Sequence, residues 1–128
     1  MGVDVSDLIG MKYKPHGRGD GGYDCYGLTL EVERRFGNIM PDFEYEDTDG
    51  KIDTEAAEIL RRGNARQINT FVPGAIILLQ NVQGMKTHIG VYLEDGMFIH
   101  SHVKKNVCID TINAYRHCIS GVYIWQGK

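Results

Sequence analysis

The sequence predicts an α+β fold with an antiparallel sheet. Helical periodicity occurs before Pro73, and short β-rich runs separated by polar turns follow it. The pair Asp95-Gly96, between two apolar runs, is typical of a two-residue hairpin turn. A chain of 128 residues can bury about two thirds of its unfolded surface, so we expect one domain over residues 1–128.

The N-terminal half is expected to supply the helices. A short helix is predicted over Val5–Ile9, followed by a glycine-rich loop over residues 12–22. Apolar residues at helical spacing predict a helix over Tyr26–Phe36, with Gly37 as its stop signal. An amphipathic pattern predicts another helix over Thr54–Arg62.

The C-terminal half is expected to supply the sheet. Its β-rich runs are Ala75–Gln80, Thr87–Glu94, Met97–His100, Val107–Ile109 and Ile119–Trp125. Because the helices come first and the strands follow in series, antiparallel pairing is favoured over a parallel sheet.

Composition and charge exclude several classes of function. A net charge of −3 gives no general attraction to phosphate backbones, so nucleic acid is not an expected partner. The apolar runs are far shorter than the roughly 20 residues that span a bilayer. The N-terminal residues lack the basic-then-apolar order of a secretory signal. We therefore expect a protein of the cytoplasm or of a virion or tail particle, brought to its site of action by another route.

Neither a disulfide framework nor a cofactor site is expected. The three cysteines, Cys25, Cys108 and Cys118, are odd in number and far apart. Cys108 and Cys118 lie in apolar segments and are interpreted as small buried hydrophobes. The acids Asp47, Asp49 and Asp53 resemble a calcium loop, but the glycine spacing is wrong, which favours a solvated acidic surface.

Cys25 is the candidate nucleophile. It lies where the glycine-rich loop gives way to the predicted helix. Unpaired N–H groups and the positive end of the dipole at a helix start stabilise a thiolate, which lowers a cysteine pKa below about 8.5. A nucleophilic thiol also needs a base and a polar group that orients the base.

Two histidines on neighbouring predicted strands are candidates for those roles. Side chains alternate along a strand, so His88 lies on one face while Ile89 and Val91 lie on the other. The strand carrying His100 follows through a tight turn, and antiparallel strands are about 5 Å apart. The two imidazoles could therefore be neighbours, although ordinary strand histidines satisfied by backbone or water remain the alternative.

Three segments resemble the NlpC/P60 family of cysteine peptidases, a branch of the papain-like fold. Residues 24–28, Asp-Cys-Tyr-Gly-Leu, resemble the family's Asp-Cys-Ser-Gly-Leu nucleophile segment. Residues 88–93, His-Ile-Gly-Val-Tyr-Leu, are similar to its His-Val-Gly-Ile-Tyr-Leu strand, and residues 98–101, Phe-Ile-His-Ser, to its Phe-Ile-His-Ala strand. The resemblance implies N-terminal helices packed on a central antiparallel sheet.

The resemblance also implies roles for individual residues. Cys25 would be the nucleophile, His88 the general base and acid, and His100 the residue that orients His88. The hydroxyl of Tyr13, twelve places before the cysteine, would help to bind the oxyanion together with the Cys25 N–H. Packing beneath the glycine-rich loop is the alternative for Tyr13.

Two further residues are candidate substrate contacts. Asp24 would receive the free amine of a stem peptide, or would cap the helix, and both roles could hold together. Tyr26 departs from the family's small hydroxyl residue at a position expected to border the substrate groove. In this respect residues 24–27 resemble the Asp-Cys-Trp-Gly variant of phage-tail and prophage members. Those members also tend to open with an Asp-Leu-Ile-Gly segment, as this chain does over residues 7–10. In the turn at residues 73–75, Ala75 replaces the family's usual aspartate.

The leading hypothesis is a peptidase that cuts amide bonds in peptidoglycan stem peptides, between γ-D-glutamyl and a diamino acid. The alternative is a phage-tail-like assembly or binding protein that keeps the fold with weak or no hydrolysis, with tail components as partners. A zinc site built from Cys25, His88, His100 and His102 is a third hypothesis, disfavoured because its spacing is unlike compact zinc motifs.

Overall fold

The structure, a computed structural model, describes residues 3–42, 65–82 and 85–126. These residues form a long helix followed by an antiparallel sheet, which confirms the α+β class. The predicted helix over Thr54–Arg62 and the acids Asp47, Asp49 and Asp53 lie outside the described residues.

The sheet of the described residues has six strands, all paired antiparallel in the order β1-β6-β2-β3-β4-β5. They are β1 (Ala65–Ile68), β2 (Ile76–Val82), β3 (Met85–Glu94), β4 (Met97–His102), β5 (Asn106–Thr111) and β6 (Ile119–Trp125). Strand β1 was not predicted, because its Ala-Arg-Gln-Ile sequence has no alternating apolar face and its pairing with β6 is made by the backbone.

The predicted hairpin between β3 and β4 is confirmed. Asp95 and Gly96 both have positive φ, at 54° and 76°, as a two-residue turn of this hand requires. The turn is anchored from outside by a 2.8 Å hydrogen bond from the Ile112 N–H to the Gly96 carbonyl. This hairpin carries both candidate histidines.

Helix α1 spans Cys25–Arg35, so it begins at the cysteine itself, one residue before the predicted start. It ends at Arg35, one residue before the predicted end, and the predicted stop signal Gly37 follows the cap residue with a φ of 96° and an N–H that bonds to the Arg34 carbonyl. The described helices are too short or too polar to traverse a lipid bilayer.

The predicted helix over Val5–Ile9 is wrong, since this segment forms turns. The side chain of Asp4 accepts from the backbone N–H and the hydroxyl of Ser6, which favours a local turn over a continuing helix. A short helix, α2 (Ile112–Tyr115), and a 3-10 turn (Arg116–Cys118) were not predicted. Four residues are too few for a helical period to show in the sequence.

The sheet buries apolar side chains on both faces, and α1 packs against β3 and β4. On β3, Ile89 and Val91 belong to the clusters that include residues of α1, while Tyr92 belongs to the cluster that includes residues of α2. The predicted alternation is therefore confirmed. It places His88 on the face of Tyr92, the same face as Phe98 and His100 on β4.

Candidate active site

Cys25 occupies the first position of α1. It is fully buried, and it belongs to an apolar cluster that includes Ile89 of β3 and Leu78 of β2. None of the three cysteines forms a disulfide. The thiol thus lies at the positive end of the helix, as the sequence predicted.

Asp24 is the N-cap of α1. Its Oδ1 accepts from the Gly27 N–H at 2.7 Å and from Nη1 of Arg18 at 3.0 Å, and its Oδ2 accepts from the His16 N–H at 3.2 Å. The carboxylate is fully buried. The capping role is therefore confirmed, while the contact with a substrate amine stays a prediction.

The loop before α1 is held against the helix start by backbone pairing. Tyr13 forms an isolated parallel bridge with Tyr23, two residues before the cysteine. The Tyr13 N–H also bonds to Oδ1 of Asn106, at the start of β5, over 3.0 Å. Tyr13 is half-buried, and its oxyanion role stays a prediction.

Tyr26 is fully buried in the first turn of α1. Its hydroxyl donates to the Pro41 carbonyl at 2.5 Å, and its ring lies 5.9 Å from the Arg18 guanidinium. The side chain ties the chain after α1 to the helix start. Contact with substrate would require that the ring be uncovered, so the predicted contact stays a prediction.

The two candidate histidines touch each other. Nε2 of His88 lies 2.7 Å from Nδ1 of His100, and both residues are fully buried. Gly90 makes this approach possible, because a Cβ there would lie 3.1 Å from the His100 Cβ and 2.9 Å from the Ile99 carbonyl oxygen. The predicted pairing of the imidazoles is confirmed.

Asp110, which was not among the residues singled out from the sequence, is a further polar partner of His100. Oδ2 of Asp110 lies 2.8 Å from Nε2 of His100. The same oxygen accepts from Lys105 Nζ at 2.9 Å and from the Tyr115 hydroxyl at 3.2 Å. Asp110 stands one residue beyond the predicted Val107–Ile109 strand, and extending the alternation by one residue would have put it on the face of Cys108.

His102 is the second residue whose setting was missed. The sequence offered it only as a candidate zinc ligand, and the residue is fully buried. Its ring centroid lies 6.2 Å from that of His88 and 5.8 Å from that of His100. Nδ1 of His102 accepts from the Lys104 N–H at 3.0 Å.

Burial keeps the three imidazoles neutral. Loss of solvation, reinforced by His100 and His102, lowers the pKa of His88 well below its ordinary value. Burial also lowers the pKa of His100, opposed by its hydrogen bond to Asp110, and lowers the pKa of His102 to about 4. A neutral imidazole has a lone pair free to take a proton, which is the state that a general base needs.

Asp110 and Cys108, which lie next to His100, also have shifted pKa values. The hydrogen bond from His100, followed by that from Lys105, holds the pKa of Asp110 well below its usual range. Burial raises the pKa of Cys108 to about 11, so this half-buried thiol stays protonated. Its Sγ lies 3.6 Å from both Nε2 of His100 and Oδ2 of Asp110, so Cys108 is part of a polar cluster rather than a simple hydrophobe.

Among the described residues, the side chains that could share one metal ion are His100, Cys108 and Asp110, whose ligand atoms lie within 4.8 Å of one another. This set differs from the zinc ligands considered from the sequence. Lys105 already supplies a positive charge to the carboxylate oxygen, and an ion would have to displace it. Hydrogen bonding accounts for this cluster without a metal.

Comparison with known proteins places the chain beside one family. The profile described as the NlpC/P60 family matches residues 10–119. This range includes every predicted site residue. No curated protein matches the chain.

Solved structures show the same fold. NlpC2 from Trichomonas vaginalis is similar with a TM-score of 0.70 and 23% identity, over 94% of this chain and 44% of that one. An NlpC/P60 family protein from Bacillus cereus ATCC 10987 is similar with a TM-score of 0.65 and 23% identity, over 97% of this chain and 41% of that one. The chain thus spans less than half the length of either.

The NlpC/p60 domain of the peptidoglycan hydrolase SagA is closer in length. It is similar with a TM-score of 0.61 and 18% identity, over 91% of this chain and 89% of that domain. The fold predicted from the sequence is therefore confirmed.

Proposed function

The chain belongs to the NlpC/P60 family, and on this basis we propose that it is a cysteine peptidase that hydrolyses amide bonds in peptidoglycan stem peptides. The bond would join γ-D-glutamyl to a diamino acid. The observation that carries the proposal is the 2.7 Å contact between His88 and His100, two buried neutral imidazoles on strands packed against α1, which begins at Cys25.

The proposed reaction begins with activation of the Cys25 thiol. His88 takes the thiol proton, and Sγ of Cys25 attacks the carbonyl carbon of the scissile amide. The oxyanion is held by the Cys25 N–H and the Tyr13 hydroxyl. His88 then gives its proton to the leaving amine, which departs and leaves a thioester on Cys25.

Hydrolysis of the thioester returns the enzyme to its starting state. His88 takes a proton from water as the hydroxide adds to the acyl carbon, and the thiol regains that proton when the carboxylic acid product leaves. Through its contact with His88, His100 holds the base in place during both steps. In this proposal Asp24 lies near the amine of the stem peptide, and Tyr26 borders the peptide when substrate binding uncovers its ring.

Mass spectrometry of defined stem peptides tests the proposal. We expect Cys25→Ala and His88→Ala to lose cleavage, by at least about 10³-fold, while remaining folded. Cys118→Ala is the matched control, since this half-buried thiol lies outside the histidine cluster, and it should cleave at the wild-type rate. Undiminished turnover by Cys25→Ala would end the proposal.

Full burial of Cys25 favours one other candidate function, a binding or assembly protein in which hydrolysis is weak or absent. A thiol-directed probe at neutral pH separates the two, because a thiolate reacts far faster than a thiol. In a Cys108→Ala, Cys118→Ala background only Cys25 can react. Labelling no faster than in the unfolded chain supports the binding protein, and faster labelling supports the peptidase.

A further inference from the structure

Asp110 stands behind the histidine pair, and one of its oxygens receives several donors. Oδ2 accepts from the ammonium of Lys105 at 2.9 Å and from the hydroxyl of Tyr115 at 3.2 Å, and it lies 2.8 Å from Nε2 of His100. A carboxylate paired with an ammonium group is ionised and has no proton to give. The proton in the contact with His100 must therefore reside on Nε2 of the imidazole.

The position of the proton on His100 determines the position of the proton on His88. Burial keeps His100 neutral, so a proton on its Nε2 leaves Nδ1 with a lone pair. Nδ1 of His100 must then accept from Nε2 of His88, 2.7 Å away. His88 is also neutral, and its second nitrogen, Nδ1, is left unprotonated. Among the described residues this buried Nδ1 has no hydrogen-bond partner.

We propose that Asp110 is a positioning residue that fixes the tautomers of His100 and His88, and so makes Nδ1 of His88 the basic nitrogen of the site. The effect on turnover rests on the proposed peptidase function. The tautomers themselves follow from the hydrogen bonds and can be measured without it.

Asp110 is itself held in place. Cys108 lies directly across from His100 in the β4–β5 register, and Asp110 lies across from Phe98, so the carboxylate reaches His100 diagonally. Lys105, from the turn between these strands, and Tyr115, from α2, also bond to each other at 2.9 Å. This arrangement keeps the carboxylate on the side of His100 that faces away from His88.

The titratable and charged groups around His100 come from every neighbouring element. They are His88 on β3, His102 on β4, Cys108 and Asp110 on β5, Lys105 in the β4–β5 turn and Tyr115 on α2. Asp110 is the anion among them. When His88 becomes an imidazolium, this negative charge stabilises it through His100, so loss of the charge should lower the apparent pKa of the acid limb of the rate profile.

Nitrogen-15 NMR of the histidine rings tests the tautomers directly, in the wild type and in Asp110→Asn. We expect wild-type His88 and His100 both to carry the proton on Nε2. The side-chain amide introduced by Asp110→Asn can donate to Nε2 of His100, so that variant should move protons to Nδ1 of both rings. A wild-type spectrum with the proton on Nδ1 of either ring overturns the proposal, whether or not the protein cuts any peptide.

Kinetics on a stem peptide test the consequence. Asp110→Asn should lower kcat by about 10² to 10⁴-fold, with KM changed by less than about threefold and the acid limb moved to lower pH. Asp110→Glu, which keeps the charge, should recover at least about tenfold of this loss. Asp95→Asn removes the same charge from the exposed β3–β4 turn and serves as the control.

The outcomes separate the two proposals. If the wild type cuts no stem peptide, or if Cys25→Ala cuts as well as the wild type, the peptidase function fails and the NMR spectra alone decide the role of Asp110. If cleavage depends on Cys25 but Asp110→Asn keeps the wild-type rate and pH profile, the role of Asp110 is refuted and the peptidase function stands.

Discussion

The carboxylate of Asp24 accepts a hydrogen bond from the backbone N–H of Gly27 over 2.7 Å, and this contact sets the start of α1. Because Cys25 is the first residue of the helix, the same contact places the thiol at the N–H groups of the first turn. Arg18 bridges Asp24 to Asp42, which ties the chain after the helix to its beginning.

We expect Asp24→Ala to lower the free energy of unfolding by about 2 to 4 kcal/mol, because it removes a buried cap and leaves Arg18 without its buried anion. Urea denaturation measures the loss. Asp42→Ala removes the exposed partner of the same arginine and should cost less than about 1 kcal/mol. Equal losses in the two variants would show that the cap contributes little.

Gly90→Ala should disturb the histidine pair. The added Cβ would lie 2.9 Å from the Ile99 carbonyl oxygen and 3.0 Å from the Phe98 ring, so β4 must shift with His100 on it. A displacement near 1 Å in a catalytic pair can cost about 10²-fold in rate, so we expect kcat on a stem peptide to fall by about that factor.

Gly121→Ala is the control for that change. Its Cβ would also be crowded, 2.8 Å from the ring of Tyr123, but it lies on β6. Both variants should lose about 1 to 3 kcal/mol of stability in urea. A rate loss of the same size in both would mean that general destabilisation, not the histidine pair, is responsible.

His102 should make the protein less stable in acid. Its pKa falls from 6.5 to about 4 on burial, so between these values the unfolded chain binds more protons and stability declines as the pH is lowered. The shift corresponds to about 3 kcal/mol at the acid end of that window. His88 and His100 add to the decline, because their pKa values are also lowered.

Urea midpoints measured from pH 7.5 to pH 4.5 check this effect, and His102→Gln should flatten the curve. The exposed His117 provides the matched control, His117→Gln, which should keep the wild-type slope. A slope unchanged by His102→Gln would contradict the expected titration.

Glu33 should act in the opposite direction. Burial raises the pKa of this carboxyl from 4.5 to about 7, against a hydrogen bond from Asn38. Its protonated form is favoured in the folded state, so its contribution is complete below pH 4.5 and is lost as the pH rises through 7. The loss amounts to about 3 kcal/mol.

Glu33→Gln replaces the carboxyl with a neutral amide that can still accept from Asn38. We expect the variant to be more stable than the wild type at pH 8 by up to about 3 kcal/mol, with little difference at pH 5. Thermal unfolding at the two pH values measures the difference. Glu94→Gln, at an exposed strand end, should show no such gain, and a gain at both pH values would indicate better packing instead of titration.

The local sequence determined those parts of the molecule that depend on near neighbours. The Asp95-Gly96 turn and the alternation of β3 were readable because two-residue turns and strand faces have short, fixed patterns. The bounds of α1 were predicted to within one residue at each end, because the glycine-rich loop before the helix and Gly37 after it are local signals. The family resemblance covered these same segments, and so it identified the histidine pair.

The tertiary structure alone decided which side chains meet across distance. Asp110 reaches His100 because β4 and β5 pair in one particular register, and a shift of one residue would turn it to the other face. The burial of Tyr26 and His102 likewise depends on elements that pack over them, and the edge strand β1 exists through its pairing with β6. Register and packing are properties of the whole chain, since each depends on contacts between residues far apart in sequence, and no local pattern encodes them.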